Sequence, residues 1–363
     1  MNFYLPAAQG HYRDFFGPGA DSLLEFYLPV VRFFSLDFSL PAVNRVILCM
    51  FDTVTIQYQH MKSIIIPPWL REGDRIEIIT PASHIEEDVV LQAVQMLEES
   101  GFRITLGSHV FTRHGPFAGS DDERLEDIQR ATDDTEVKAV ICSRGGYGMS
   151  RIVDRIDFSA LKKSPKWYVG YSDITSLHLW LNTVCGIASL HAEMPLNYSD
   201  PACSSLCYET MVRALRGEAI PVTWTPPHEA SFEVSGVVTG GNISLIYSLN
   251  GTPAQPDTGG AILFIEEIGE QFYHLDRMLT SMRMTGMLKD LSALVVGGME
   301  KITEGEHVFN QTVEEVVMNV VGNYGYPVLF GFPAGHISDN RALYLGRAAQ
   351  IRQSGREAVL SWH

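Results

Sequence analysis

A hydroxyl and a carboxylate stand side by side where a strand pattern changes into a helix pattern. Residues 167–171 (WYVGY) are aromatic and β-branched, which favours a strand, whereas Ile174 and Leu177 begin an apolar helical spacing. The pair Ser172–Asp173 lies between the two patterns. This stretch alone leaves two interpretations open. The pair caps the helix, or Ser172 is a nucleophile on a tight strand-to-helix turn whose helix amides can stabilise an oxyanion.

A nucleophilic hydroxyl requires a base, and a carboxylate commonly orients that base. Among the 12 histidines, His336 lies in the segment PAGHISDNR, where Pro and Gly indicate an exposed turn. A lone loop histidine is also a common surface residue, so both interpretations stay open. Glu266 ends the apolar segment AILFIE, and Glu267 follows it. Alternation along a strand sends these two carboxylates to opposite faces, so only one is expected to point into a site, where it either pairs with a cation or orients another group.

An oxyanion requires backbone N–H donors that a ligand can approach closely. The segment SRGGYG, residues 143–148, follows the apolar run VKAVIC and contains Gly145 and Gly146, which have no Cβ to keep a ligand away. The segment is not a phosphate-binding loop, because it does not match GxGxxG and the chain has no GxxxxGK[ST] motif. The glycine pair is therefore a candidate oxyanion hole.

Strand and helix patterns alternate along the chain and predict the elements that carry these residues. The βαβα order indicates a parallel sheet with helices on both faces. Ligands bind beyond the carboxyl ends of the strands in such sheets, and Ser172 and residues 143–148 both lie at that edge. Strands are predicted at 75–80, 102–106, 137–142, 167–170, 187–191, 260–267 and 293–298, and helices at 86–101, 121–131, 149–156, after Ser172, near 208–215, around 272–284 and near 311–321.

The start of the chain differs in composition from the rest. Residues 1–60 contain no Lys, are rich in aromatic residues and have Pro in their apolar runs. We interpret them as an N-terminal extension outside the folded domains, with Met61 as the natural start and a small accessory segment as the alternative. The predicted domains are an α/β nucleophile domain at 61–200, a polar linker at 201–231 and a C-terminal domain at 232–363.

Bulk composition excludes several classes of protein. The 363 residues are 45% hydrophobic and 19% charged, which is typical of a globular protein with a sizeable core. A net charge of −16 without a basic stripe argues against nucleic acid as a partner. No segment approaches the roughly 20 apolar residues that span a bilayer, so no membrane partner is expected. The five cysteines form no CxxC pair, which favours reduced thiols and predicts no metal site.

Six motifs together carry a resemblance to a known family. In this order and spacing they resemble the successive motifs of the LD-carboxypeptidase (muramoyltetrapeptide carboxypeptidase) family, to which the microcin-immunity serine peptidases are related. The resemblance covers Met61 to the C-terminus, about five-sixths of the chain. It implies an N-terminal doubly wound parallel-sheet domain and a C-terminal β-rich α/β domain, with the active site between them. The motifs are SRGGYGMSRIVDRID, GYSDITSLHLWL, SLHAEMP, GGNISLIYSLNGTP, ILFIEEIGEQFYHLDRML and GFPAGHISDNRALYLG.

The resemblance implies a Ser–Glu–His triad. Carried over position by position, Ser172 in GYSD is the nucleophile, Glu266 in FIEE the orienting acid and His336 in AGH the base. Ile174 stands where the GxSxG motif of α/β-hydrolases has its second glycine, so that superfamily is not implied. Helix capping is then no longer the expected sole role of Ser172.

The remaining site residues follow from the same resemblance. It implies an oxyanion hole formed by the backbone amides of Gly145, Gly146 and Asp173. Arg144 and Arg277 are the candidates for binding the carboxylate of the substrate. Neither a metal nor another cofactor is expected.

The implied activity is that of a cytoplasmic serine carboxypeptidase that removes the terminal D-Ala from peptidoglycan tetrapeptides, with a muropeptide as its partner and a homodimer as its suggested state. One alternative is immunity-type hydrolysis of an aminoacyl-nucleotide antibiotic, which would require an inserted aromatic loop. No such insertion is evident between Ile187 and Phe232. Another alternative is a non-catalytic muropeptide-binding protein, which would not require a complete triad.

Overall fold

The computed structural model describes residues 64–201, 203–218, 220–306 and 308–363. The predicted extension at residues 1–60 lies outside the described residues. The strands are β1 (Arg75–Ile79), β2 (Arg103–Leu106), β3 (Val137–Cys142), β4 (Trp167–Gly170), β5 (Ser189–His191), β6 (Val222–Trp224), β7 (Ala230–Asn242), β8 (Ile262–Ile268), β9 (Ala293–Glu300), β10 (Val328–Leu329), β11 (Leu343–Leu345), β12 (Ala348–Gly355) and β13 (Glu357–Trp362). The α-helices are α1 (Glu87–Glu99), α2 (Asp121–Asp133), α3 (Thr175–Leu179), α4 (Ser205–Leu215), α5 (Ile243–Ser248), α6 (Phe272–Met284) and α7 (Val313–Val321).

The first sheet has the strand order β11-β5-β4-β3-β1-β2. Strands β1 to β5 are parallel, and β11 adds an antiparallel edge beside β5. The parallel strands are covered on both faces, because successive side chains enter different apolar clusters. Ile141 of β3 belongs to the cluster that contains Val90 of α1. Its neighbour Val140 belongs to the cluster that contains Ile128 of α2. The prediction of a doubly wound parallel sheet is confirmed.

The order of the parallel strands reverses direction between β1 and β3, since β2 lies on one side and β4 and β5 lie on the other. Loops that follow adjacent strands at such a reversal leave a crevice at the carboxyl edge of the sheet, where ligands bind. The backbone amide of Ser83, after β1, donates a hydrogen bond to the carbonyl of Gly145, after β3, at 3.3 Å. The predicted glycine loop therefore lies at the reversal.

The second sheet has the strand order β10-β9-β8-β7-β12-β13-β6. Strands β7 to β10 are parallel, whereas β12, β13 and β6 pair antiparallel. One face packs on α5, α6 and α7 in a single apolar cluster. The other face forms a cluster that includes Phe264 of β8 and Leu343 of β11. The C-terminal region is thus β-rich α/β, as the resemblance implied, and it packs on the edge strand of the first sheet.

One of the helices predicted from the sequence does not form. The helix predicted at residues 149–156 is wrong: the chain forms two short 3₁₀ turns, Met149–Arg151 and Val153–Arg155. The amides of Arg151 and Ile152 bond to carbonyls three residues back in the first turn, and the Arg155 amide bonds to the Ile152 carbonyl in the second. The Met149 amide bonds to the Asp173 carboxylate.

The chain also crosses between the sheets more often than its sequence pattern suggests. Residues 201–231, predicted to be a linker, contain α4 and β6, and β6 pairs with β13 in the second sheet. Strand β11, within the predicted C-terminal domain, pairs with β5 in the first. Among the described residues no helix is both long enough and apolar enough to span a bilayer.

Candidate active site

Ser172 lies on a strained turn directly after β4. Its φ angle is 64°, in the left-handed region that L-residues rarely adopt. A 3₁₀ turn, Ser172–Ile174, continues from it into α3. A non-glycine residue in this conformation costs about 1–3 kcal/mol and persists where the surrounding structure holds it, often at a functional site. The N-cap positions of this turn and of α3 are Tyr171 and Ile174, neither of which makes a side-chain capping bond, and the Asp173 carboxylate accepts a bond from the Met149 amide instead.

The glycine loop after β3 packs against this turn. A Cβ added to Gly145 would lie 2.9 Å from the Ser172 Cβ, 3.1 Å from its Oγ and 3.3 Å from the Asp173 amide nitrogen. Gly146 has a φ angle of 104°, and a Cβ there would collide with the Ser83 hydroxyl. Only glycine fits at either position, and the loop backbone therefore reaches the serine side chain and the Asp173 amide together.

Two buried charged side chains hold this loop. The Asp173 carboxylate accepts a hydrogen bond from the Met149 amide at 2.7 Å. The buried guanidinium of Arg124 donates to the Pro81 carbonyl at 2.7 Å and to the Gly148 carbonyl at 2.9 Å. Burial raises the pKa of the Asp173 carboxyl to about 6, although its bond from the Met149 amide acts in the opposite direction. Sequence patterns missed Arg124, because it lies in a helix segment rich in charged residues that looks solvent-exposed.

Glu266 and His336 meet at the carboxyl end of β8. The Oε2 atom of Glu266 lies 2.6 Å from Nδ1 of His336 and accepts a second bond from the His336 backbone amide at 3.3 Å. Glu266 is fully buried, whereas the His336 side chain is 15% exposed. With the Nδ1–H group donating its hydrogen bond to Glu266, Nε2 carries the free lone pair. Burial lowers the pKa of His336, but the hydrogen bond and the negative charge of Glu266 outweigh it, and the net pKa is raised.

The neighbouring carboxylate points elsewhere, as strand alternation predicts. Glu267 accepts hydrogen bonds from the Asn242 side-chain amide at 2.9 Å and from the Ser244 backbone amide at 3.0 Å. It also pairs with the Ser244 hydroxyl. These bonds hold the first turn of α5, so Glu267 has a structural role beside the site.

Tyr171 connects the two halves of the site. It directly precedes Ser172, and its ring centroid lies 4.9 Å from that of His336. Ser172 is half-buried, and neither its Oγ nor Nε2 of His336 has a hydrogen-bond partner among the described residues. Both atoms are therefore free to contact a substrate. Catalytic hydrogen bonds often close only when a substrate is bound.

Buried polar side chains form hydrogen bonds that support the loop carrying His336. The Asn340 side-chain oxygen accepts a bond from the Gly335 amide at 2.9 Å, and the Asn340 side-chain amide donates to Glu193 Oε2 at 3.2 Å. Nε2 of the buried His191 lies 3.3 Å from the same Asn340 oxygen. Glu193 and Asn340 stand in two of the quoted motifs, but no spacing rule joins them, so sequence reasoning assigned them no role.

The two predicted carboxylate-binding arginines have different surroundings. Arg144 is half-buried beside the glycine pair, where its Nη1 donates to the His84 carbonyl at 3.0 Å. Arg277 is exposed on α6, and its guanidinium lies 5.1 Å from the ring centroid of Tyr273 in the same helix. The structure brings Arg144 to the Ser172 turn and shows no contact between Arg277 and the site residues.

An accessible serine on a strained strand-to-helix turn, a close-packed glycine loop and a histidine paired with a buried carboxylate form the type of site that serine hydrolases use. Two family models match the chain: the LD-carboxypeptidase N-terminal domain at residues 76–192 and the LD-carboxypeptidase C-terminal domain at residues 235–351. A probable murein peptide carboxypeptidase of Bacillus subtilis (strain 168) is 35% identical over 302 residues, which cover 81% of this chain and 93% of the relative. The chain belongs to the LD-carboxypeptidase family and is a serine-type carboxypeptidase.

Solved structures share the fold. The crystal structure of a muramoyltetrapeptide carboxypeptidase from Oxalobacter formigenes has a TM-score of 0.73 and 29% identity, covering 79% of this chain and 98% of that one. The microcin C7 self immunity protein MccF in complex with aspartyl sulfamoyl adenosine also has a TM-score of 0.73, at 20% identity, covering 82% of this chain and 98% of that one. At that identity the second likeness concerns the fold alone.

Proposed function

We propose that the protein is an LD-carboxypeptidase that removes the terminal D-Ala from peptidoglycan tetrapeptides, with Ser172, His336 and Glu266 as its catalytic triad. The observation that carries the proposal is the 2.6 Å hydrogen bond between Glu266 and His336, whose ring lies 4.9 Å from that of Tyr171, the residue before Ser172. A buried carboxylate on Nδ1 keeps the imidazole in the tautomer whose Nε2 can take a proton from a hydroxyl. The names of the relatives support the choice of substrate.

The acylation step uses both halves of the site. The Ser172 Oγ attacks the carbonyl carbon that precedes the terminal D-Ala, while Nε2 of His336 takes the hydroxyl proton. The developing oxyanion accepts hydrogen bonds from backbone amides at Gly145, Gly146 and Asp173. Collapse of the tetrahedral intermediate breaks the C–N bond, and His336 returns its proton to the leaving amine. The products are free D-Ala and an ester of Ser172.

The deacylation step repeats this chemistry with water. His336 takes a proton from the attacking water, the same amides stabilise the second oxyanion, and the ester C–O bond breaks as Ser172 regains its proton. The negative charge of Glu266 stabilises the imidazolium in both steps. The triad thus performs every proton transfer in this scheme.

The carboxylate of the leaving D-Ala needs a cation, and Arg144 is the better placed of the two candidates. It adjoins the glycine loop, and its Nε is buried without a hydrogen-bond partner. A carboxylate held there fixes the leaving residue relative to Ser172. Inverting that residue swings the carboxylate away and leaves a charge-assisted hydrogen bond unmade, at a cost of about 1.5–3 kcal/mol or more.

Hydrolysis of an aminoacyl-nucleotide is the less favoured function. Recognition of a nucleobase requires an accessible aromatic face for stacking. In the described part of residues 187–232, Tyr198 and Trp224 are buried, and Tyr208 is half-buried with its hydroxyl bonded to the Met96 carbonyl. None of these three rings offers an open stacking face.

Release of D-Ala from defined peptides tests the proposal. We expect D-Ala from a tetrapeptide with an L-centred diamino acid at position three, and at least about tenfold less product from its L-Ala analogue, since about 1.4 kcal/mol is a factor of ten. A pentapeptide ending in D-Ala-D-Ala is also expected to react poorly, because it places a D centre where the acyl residue is L. Equal kcat/KM for all three peptides contradicts the proposal, as does hydrolysis of an aminoacyl-nucleotide alone.

Oligomeric state and location are proposed on the resemblance alone. We infer a homodimer in the cytoplasm. Light scattering at several protein concentrations tests the first, and cell fractionation tests the second. A monomer at all concentrations, or enzyme found only outside the cytoplasmic fraction, contradicts the respective inference.

A further inference from the structure

Two thiols and a carboxylate outside the proposed triad converge on one point. Cys203 lies just before the first turn of α4, Cys207 lies within that turn, and Glu193 follows β5. One sulfur or oxygen atom from each of the three side chains lies within 4.8 Å of the other two. The Cys203 Sγ and the Glu193 Oε2 are 3.8 Å apart. Among the described residues this is the one such group of three ligand-type side chains.

We propose that Cys203, Cys207 and Glu193 form a binding site for a single thiophilic divalent cation of the zinc class. Two thiolates and a carboxylate are a donor set that zinc accepts in a tetrahedral arrangement. Zinc–sulfur bonds of about 2.3 Å and zinc–oxygen bonds of about 2.0–2.2 Å place two sulfurs roughly 3.8 Å apart and a sulfur and an oxygen roughly 3.5–3.7 Å apart in that geometry. The Cys203–Glu193 separation of 3.8 Å is close to this distance, so closing the site requires only about 1 Å of side-chain movement at the widest separation.

The burial of the three ligands defines an entry side. Cys207 and Glu193 are buried, whereas Cys203 is partly exposed. A cation can therefore enter past Cys203, and water can supply a fourth ligand from the same side. Binding forms two metal–sulfur bonds and one metal–oxygen bond, and each thiol releases its proton to solvent.

The proposed metal site shares atoms with the support of the His336 loop. The Asn340 side-chain amide donates to Glu193 Oε2 at 3.2 Å, and the Asn340 backbone amide donates to Cys207 Sγ at 3.2 Å. Closing the site around a cation moves these two acceptors relative to Asn340, and Asn340 also binds the Gly335 amide next to His336. Occupancy is therefore expected to lower the rate of a reaction that depends on the position of His336. This consequence rests on the proposed function, whereas the metal site itself does not.

Titration with Cd²⁺ under a phosphine reductant tests the site, because cadmium–thiolate bonds absorb in the ultraviolet and the reductant keeps the thiols free. We expect one Cd²⁺ per chain with this absorption. Outer-shell substitutions at metal sites cost about 10–100-fold in affinity, so loss of a ligand in Cys203→Ala should cost at least about 100-fold. Cys185→Ala is the matched control, since Cys185 is also a partly exposed free thiol at a helix end, and it should bind as the wild type does.

The partly exposed Cys203 makes its alanine variant safe for folding, and Glu193→Gln supplies a second variant that keeps both thiols. The cadmium–thiolate absorption band should persist in Glu193→Gln, and the affinity of this variant for Cd²⁺ should be weaker than that of the wild type. A wild type without the band, or a band unchanged in Cys203→Ala, overturns the metal site. Peptidase assays with and without Cd²⁺ test the coupling: equal rates overturn it, and absence of any D-Ala release overturns the proposed function while the absorption still decides the metal site.

Discussion

The serine half and the histidine half of the candidate site are built in different ways. The serine half depends on backbone conformation: a left-handed φ at Ser172 and a glycine at position 145 that leaves no room for a Cβ. The histidine half depends on buried polar side chains that bond to one another, Glu266 to His336 and Glu193 to Asn340. One half is therefore sensitive to added atoms, and the other to lost charges and hydrogen bonds.

The two halves also differ in how far apart in sequence their contacting residues lie. Ser172 stands between a strand and a helix that adjoin it in sequence, so its turn is a local feature. The Glu266–His336 contact joins residues 70 positions apart, and the Glu193–Asn340 contact joins residues 147 apart. Substitutions in the two halves should consequently have different effects. Those in the serine half should displace the backbone, whereas those in the histidine half should change the proton affinity of His336.

Removal of the nucleophile is expected to cause the largest decrease in kcat. Ser172→Ala should fold normally and lose about 10⁴–10⁶ in kcat, the range typical of a triad serine. Ser176→Ala is the matched control, because this buried hydroxyl one turn further along α3 has no hydrogen-bond partner. A chelator should leave the metal-free wild type unaffected. Steady-state kinetics decide the assignment, and a Ser172→Ala enzyme that retains more than about a tenth of wild-type kcat contradicts it.

Neutralising the buried carboxylate should cost somewhat less and change the pH profile. Glu266→Gln is expected to lose about 10³–10⁴ in kcat. Because Glu266 raises the pKa of His336, the wild-type kcat/KM should fall on acidification with a midpoint above the usual value of about 6.5. The Gln variant lacks the negative charge, so its midpoint should move to lower pH.

Glu267→Gln is the control for this pH shift. It removes a neighbouring carboxylate that bonds to Asn242 and Ser244 and makes no hydrogen bond to His336. It should lower the melting temperature and move the acid limb to lower pH by less than Glu266→Gln does, because Glu267 raises the pKa of His336 through its charge alone, whereas Glu266 also accepts a hydrogen bond from the ring. An acid limb that moves as far in Glu267→Gln as in Glu266→Gln would show that Glu266 does not set the basicity of His336.

An added methyl group tests the role of backbone conformation in the serine half. Gly145→Ala places a Cβ against Ser172 and the Asp173 amide and should cost about 10²–10³ in kcat, the effect of losing one oxyanion-hole donor. The matched control is Gly259→Ala, whose Cβ would meet only Asp257 Oδ1 at an ordinary 3.7 Å. If Gly145→Ala keeps wild-type kcat and melts with the wild type, the close contact between the loop and the serine has no functional role.

The smallest effect is expected at the start of the chain. A protein that begins at Met61 should match the full chain in melting temperature and peptidase activity, because the domain pattern of the sequence starts there. Calorimetry and the D-Ala assay measure both. A clear loss of either would assign residues 1–60 to the folded protein.

Sequence patterns predicted the elements well where local periodicity and tertiary packing agree. Strand β3 and helix α6 have their predicted bounds, because a continuous apolar run and a regular amphipathic spacing each permit one structure. The segment at 149–156 failed for the opposite reason. Its apolar spacing suits a helix, but the bond from the Met149 amide to Asp173 fixes a different start, and no local pattern contains that contact.

The candidate site was predictable in its chemistry and less so in its support. Ser172 and His336 follow strands and Glu266 lies near the end of one, which sequence patterns locate, and the order of the motifs related them to one another. Arg124 and Asn340 could not be found in this way. Their roles arise from hydrogen bonds across 43 and 147 positions, and such pairings depend on the folded topology.

The central claim is that Ser172 and His336 act as one unit although the two halves are built differently. The direct test compares kcat for Ser172→Ala, His336→Ala and the double variant. Residues that act together are strongly non-additive, so we expect each single change to cost about 10⁴–10⁶ and the double variant to be no slower than the slower single variant. A double variant whose loss equals the product of the two single losses would show that the halves act independently, which contradicts the account.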